Sequence, residues 1–214
     1  MTLLIGDPEV ATVPVRDCGE PLVRLDPALT LGGRGGVFVR SGIAARLARA
    51  ASSLPRGVGL AVVDGFRAAS EQLAIIAAYT ATLRAEDPTL QGATLDRLVS
   101  RHVAPLATAP HVAGAAVDLT LTVAGEPVWM GSDLDATPEQ SDGRCYTGAP
   151  GLDGVVCSRR ELLAMALEGA GFVNYPTEWW HWSHGDRWWA VVTGAPHALY
   201  GPAESPLLIA GASA

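Results

Sequence analysis

Two histidines, two carboxylates and one arginine stand at spacings that suit metal-assisted hydrolysis. His111 precedes Asp118 by seven residues, and His181 follows Glu178 by three. A catalytic zinc site takes three nitrogen or oxygen ligands and keeps a fourth position open for water. His111, Asp118 and His181 meet that requirement, and Gly114 lets the chain turn tightly between the first two. Asp118 opens an apolar stretch, where a bare carboxylate is costly unless paired or bound to a metal. Zinc lowers the pKa of its bound water to about 7. Glu178 stands beside a ligand without being needed as one, so it reads as the general base that passes a proton to the leaving amine, a role worth about 10²–10⁴-fold. Arg67 closes V-V-D-G-F-R, and its guanidinium is suited to stabilise the oxyanion, worth about 10²–10³-fold. The ligand set suits zinc best, with iron, cobalt and nickel fitting similar donors.

These residues need elements to carry them. Residues 59–64 (GLAVVD) are a short continuous apolar run, hence a buried strand ending just before Arg67. Residues 115–123 alternate and are β-branched; AGEP at 124–127 then turns the chain into VWM at 128–130, a strand pair bearing Asp118. Helices are expected over 41–53 with Ser41 as N-cap, 69–85, 94–104 and 159–168, the last opened by a Ser158/Glu161 capping box. EWWHWSH and RWWAVV read as closing strands, and GGRGG at 32–36 as a loop or hairpin turn. In a regular strand Glu178 and His181 point to opposite faces, so irregular backbone is expected at 178–181. Hairpins mixed with helices, without βαβ alternation, give an α+β fold: one domain over 1–200 with a central antiparallel sheet flanked by helices, and a loosely packed tail at 201–214.

Composition excludes several function classes. The net charge is −7 and all 15 basic residues are arginine. Without lysine there is no P-loop and no Schiff-base enzyme. Acidity argues against a nucleic-acid partner, and no apolar run reaches the ~18–20 residues that span a bilayer. The absence of a secretory-type start, with three cysteines read as free thiols, gives a cytoplasmic expectation.

Three motifs occur in order: V-x-D-G-F-R ending at 67, H-x-x-G-x-A-x-D at 111–118, and E-W-W-H at 178–181. With W-M-G-S-D-L-D (129–135) and S-R-R-E-L-L…G-F (158–172), the chain resembles the vancomycin-resistance-type D-alanyl-D-alanine dipeptidases, and more distantly zinc D,D-carboxypeptidases and the hedgehog zinc domain. The resemblance implies one zinc on His111, Asp118 and His181, Glu178 as base and Arg67 as transition-state cation. It also implies that Asp135 holds the free amino group of a small dipeptide. Departures surround the substrate rather than the metal: Ala109-Pro110 replaces serines, Ala68 replaces a proline, and Ala113 replaces an arginine. Two other readings therefore stay open: an amidase acting on a different modified dipeptide in specialised metabolism, and a non-catalytic zinc-binding module. His102 and His197 read as structural or surface residues, His184 as a weak competitor for the metal, and Asp64 as the residue that orients Arg67 or caps a turn. The tryptophans read as core, with Trp179 or Trp180 walling the pocket.

Overall fold

The computed structural model describes residues 3–33 and 36–205. In chain order its elements are α1 (Pro8–Ala11), β1 (Leu22–Arg24), β2 (Phe38–Arg40), α2 (Ser41–Ser53), β3 (Val58–Asp64), α3 (Ala69–Glu86), α4 (Gly92–Val99), β4 (Ala116–Val123), β5 (Glu126–Pro127), α5 (Gly154–Gly169), β6 (Val173–Tyr175), β7 (Glu178–Ser183) and α6 (Arg187–Thr193). The main sheet runs β3-β4-β7-β6 with β5 added to β4, every pairing antiparallel, and β1 and β2 form a separate pair. The fold is α+β, as the mixture of hairpins and helices implies.

β4 is the spine. Its side chains alternate with period two: Val117, Leu119 and Leu121 enter the main core, while Asp118 points to the opposite face. Ile43 and Leu47 of α2 and Leu163 and Leu167 of α5 close that core. Burying each such side chain contributes about 1.5–3 kcal/mol. A second apolar cluster, Tyr79, Leu83, Leu95, Val99 and Val103, joins α3 to α4. The site lies between this α3–α4 unit and the sheet.

Several boundaries differ from the sequence-based expectation. RWWAVV is helical: Asp186 accepts from Trp188 N and Trp189 N, and Gly194 closes the helix with φ +72°. A short apolar run does not distinguish strand from helix, and these caps decide it. α5 starts at Gly154, capped by Asp153 accepting from Val155 N and Val156 N, so Ser158 lies inside the helix and opens nothing. α2 is capped by Glu20, whose carboxylate accepts from Gly42 N at 2.7 Å, with Ser41 already helical. α4 stops at Val99 rather than 104; the turn after β4 is only Ala124–Gly125, Glu126–Pro127 form the short β5, and VWM at 128–130 is not a strand. Arg34 and Gly35 of the GGRGG loop and residues 206–214 of the tail lie outside the described residues. Within the described part of the tail, Gly201 N donates to Asp17 and Ala203 N to Val112 O.

Candidate metal centre and catalytic pocket

Register builds the centre. Asp118 on β4 pairs directly with His181 on β7 and, on its other side, with Asp64 on β3. Directly opposed residues share a face, so Asp118 and His181 meet without help from any loop. His111 arrives from the turn before β4; its Nδ1 lies 2.6 Å from Gly65 O, which fixes the ring and turns Nε2 inward. Gly114 follows at φ +64°, where an added Cβ would stand 2.4 Å from Leu22.

The three donor residues form a triangle, one ligand atom from each lying within 4.8 Å of the others. His111 Nε2 is 3.2 Å from His181 Nδ1; the two oxygens of Asp118 lie 3.3 Å from the first and 3.0 Å from the second. Ligands about 2.0–2.1 Å from a tetrahedral ion stand about 3.3 Å from one another. All three residues are buried, and among the described residues they are the group that could hold a metal ion. Burial works against a charged His111, but Asp118 outweighs it and pushes the imidazole up to about 9. Asp118 is likewise opposed by burial, yet the two histidines hold it well below the usual carboxylate range. A buried carboxylate facing two imidazole nitrogens, one of them short of a proton when neutral, suits a divalent cation.

Glu178 joins the triangle through a bulge. Asn174 and Tyr175 of β6 pair with Trp182 and Glu178, so residues 179–181 stand against a single step of the partner strand. Asn174 Nδ2 donates to Glu178 O and His181 O, both at 3.0 Å, and holds the loop of backbone in place. The expected irregularity at 178–181 is present, and it brings Glu178 Oε2 to 3.8 Å from His181 Nδ1.

Arg67 emerges just past β3. Its guanidinium donates to Asp64 Oδ2 at 2.5 Å and to Gln72 Oε1 at 2.8 Å, while Gln72 Nε2 donates to Ala104 O. Asp64 thus orients Arg67, and its other oxygen accepts from Gly65 N. Burial would lower the Arg67 pKa, but Asp64 raises it. Asp135 sits at the mouth, in the left-handed region at φ +62°. It opens to solvent on its outer side; desolvation on the inner side, with Asp118 and Glu178, pushes its pKa up to about 6. Arg67, His111, Asp118, Asp135, Glu178 and His181 all line one cavity of ≈ 220 Å³, smaller than the about 300–1,000 Å³ of drug-sized sites.

The sequence reading missed three contributors. Gln72 and Asn174 hold Arg67 and the bulge, and their types carry no metal or acid–base signal. His102 was read as structural or surface; it lines the cavity with Nδ1 3.1 Å from Glu178 Oε1. His184 instead bonds Gly171 O at 2.6 Å, outside the donor group. Trp180 walls the cavity, and Trp179 turns away to donate to Ser132.

The family model described as D-ala-D-ala dipeptidase, peptidase M15, matches residues 37–194. A D-alanyl-D-alanine dipeptidase of Synechocystis is 32% identical over 90% of this chain and 95% of its own length. One from Enterococcus faecalis is 36% identical over 34% of this chain and 35% of its own. A vancomycin-resistance D,D-pentapeptidase, VanY, solved in complex with Zn(II), overlays with TM-score 0.44 at 18% identity, covering 89% of this chain and 95% of that one. The non-catalytic reading therefore falls away: the chain belongs to the D-alanyl-D-alanine dipeptidase family of metallopeptidases.

Proposed function

We propose that this enzyme hydrolyses the peptide bond of a small D-configured dipeptide, D-alanyl-D-alanine first among them, in cell-wall turnover. The observation that carries the reading is the donor triangle of His111, Asp118 and His181 with the Glu178 carboxylate beside it. In this reading the triangle holds one zinc ion per chain. When bound, zinc supplies Lewis-acid polarisation and an acidified water. Glu178 takes the proton of the attacking water on Oε2 and returns it to the leaving amine. Arg67 is pinned by Asp64 and Gln72 through two of its five N–H donors, which leaves others for the oxyanion. Asp135 at the mouth takes the substrate's ammonium, limiting substrates to those with a free amino end close to the scissile bond. The three free cysteines support a cytoplasmic setting.

The test is D-alanine release from D-alanyl-D-alanine by zinc-loaded protein, with Glu178→Ala in parallel. Release by the native chain and a loss of about 10²–10⁴-fold in the variant are expected. An unchanged rate in the variant would assign the activity to a contaminant. One observation favours a second reading: Ala109, Pro110, Val103 and Ile75 give the cavity an apolar wall, suited to a bulkier dipeptide side chain. A dipeptide panel led by something other than D-alanyl-D-alanine would select it.

A further inference from the structure

Glu178 has a neighbour that the mechanism above does not use. His102 lies just beyond α4, its backbone N–H donating to Val99 O at 3.0 Å. The edge of its ring meets Tyr79, with centroids 5.1 Å apart and planes at 70°. Nδ1 stands 3.1 Å from Glu178 Oε1, while Oε2 of the same carboxylate is the oxygen near His181. The two oxygens therefore divide: one faces an imidazole from the α3–α4 unit, the other faces the donor triangle. Nδ1 makes no aligned hydrogen bond among the described residues, so this is a close charge contact with room to tighten, as catalytic contacts do when substrate arrives.

We propose that His102 is a positioning residue for Glu178, holding Oε1 so that Oε2 is presented to the water beside the donor triangle. The inference rests on Glu178 being the base. The need is physical: Glu178 begins a bulged segment whose backbone is held by Asn174, but no other described side chain besides His181 approaches its carboxylate within ion-pair distance. A carboxylate held on one side only samples rotamers that turn Oε2 away. Burial alone would lower the His102 pKa, but Glu178, with Asp135 and Asp118 behind it, raises it, favouring the charged donor.

The experiment uses the zinc-loaded full chain and D-alanyl-D-alanine, with His102→Phe and His102→Asn, each in the native and the Glu178→Gln background. Phe keeps the ring against Tyr79 and removes the donor; Asn puts an amide N–H near the place of Nδ1. The Phe variant is expected to lower kcat by about 10–100-fold, with KM within about twofold and zinc content unchanged. The Asn variant recovers most of that loss, and Phe adds nothing once Glu178 is Gln. A kcat unchanged in the Phe variant while Glu178→Gln is inactive overturns the positioning role and spares the base. A KM effect without a kcat effect also overturns it, making His102 a substrate contact. An active Glu178→Gln overturns both. Should the Phe variant fail to fold, the ¹⁵N resonance of His102 Nδ1 still decides: it must shift in Glu178→Gln, and an unmoved resonance overturns the contact.

Discussion

The candidate metal-donor triangle and the loop that carries Asp135 face each other across one cavity, and they are built in different ways. Asp118 and His181 stand on neighbouring strands in direct register, in a buried stretch of the sheet. Asp135 sits in residues 128–153, which contain no helix or strand. Turns within the loop and two backbone bonds, Trp179 N to Cys145 O and Thr147 N to Pro176 O, help to order it, and side chains reaching in from elsewhere add clamps. Arg160 of α5 donates to the carbonyls of Met130, Arg144, Tyr146 and Thr147 at 2.6–3.1 Å, and Trp179 Nε1 donates to Ser132. Two of the candidate donors are placed by backbone pairing; the proposed substrate anchor rides on a loop held largely by turns and side-chain clamps, which substitution can loosen without touching the donor residues.

Asp118→Ala should strike the first region alone and most severely. Two histidines remain, short of the three ligands a catalytic zinc needs. Zinc measured after gel filtration should fall well below one per chain, and the rate by at least about 10³-fold, since several kcal/mol of Lewis-acid stabilisation go with the ion. Full zinc content in this variant would mean that the ion sits elsewhere and would dissolve the contrast.

Arg160→Met tests the second region. The guanidinium is buried, has no carboxylate partner among the described residues and serves four carbonyls; burial lowers its pKa to about 10. Leaving buried acceptors unsatisfied costs about 1–3 kcal/mol each, though carbonyls that relax into water recover part of it. A net loss of about 3 kcal/mol is expected, or about 6–12 °C in Tm for a chain of this size. KM for the dipeptide should rise while zinc content stays at the native value. A loss of zinc together with the loop would show that the two regions are coupled.

The same difference decides what the sequence made legible. The convergence of His111, Asp118, His181, Glu178 and Arg67 was legible because metal and acid–base chemistry restricts residue type, and because short spacings and a strand period carry geometry. β4 and the bulge at β7 followed from the same logic. His102 and Gln72 could not be read that way. Their partners lie across the fold, and imidazole or amide alone announces nothing: the His102–Glu178 contact joins the α3–α4 unit to the sheet. Asp135 came only from resemblance, since a loop without periodicity carries no geometric signal of its own. The misread α6 failed for a local reason, because R-W-W-A-V-V has the look of a strand until Asp186 and Gly194 are recognised as caps.

The smallest expected effect is a pH dependence that belongs to the anchor and not to the donors. Desolvation and the carboxylates of Asp118 and Glu178 raise Asp135 to about 6. The charged form is the one that attracts an ammonium, so affinity is complete above that value and fades as pH falls through it. A divalent ion in the triangle counters the neighbouring negative charge, so in the loaded enzyme the inflexion should lie below about 6. KM for D-alanyl-D-alanine should then rise about tenfold per pH unit on the acid side, whereas Asp135→Asn should show a high KM with a flat profile. Zinc content followed over the same range separates the two regions: histidine ligands lose metal as they protonate, which lowers kcat, while the anchor moves KM alone. An Asp135→Asn profile that keeps the native inflexion would assign the titration to another group and leave the loop without its charge.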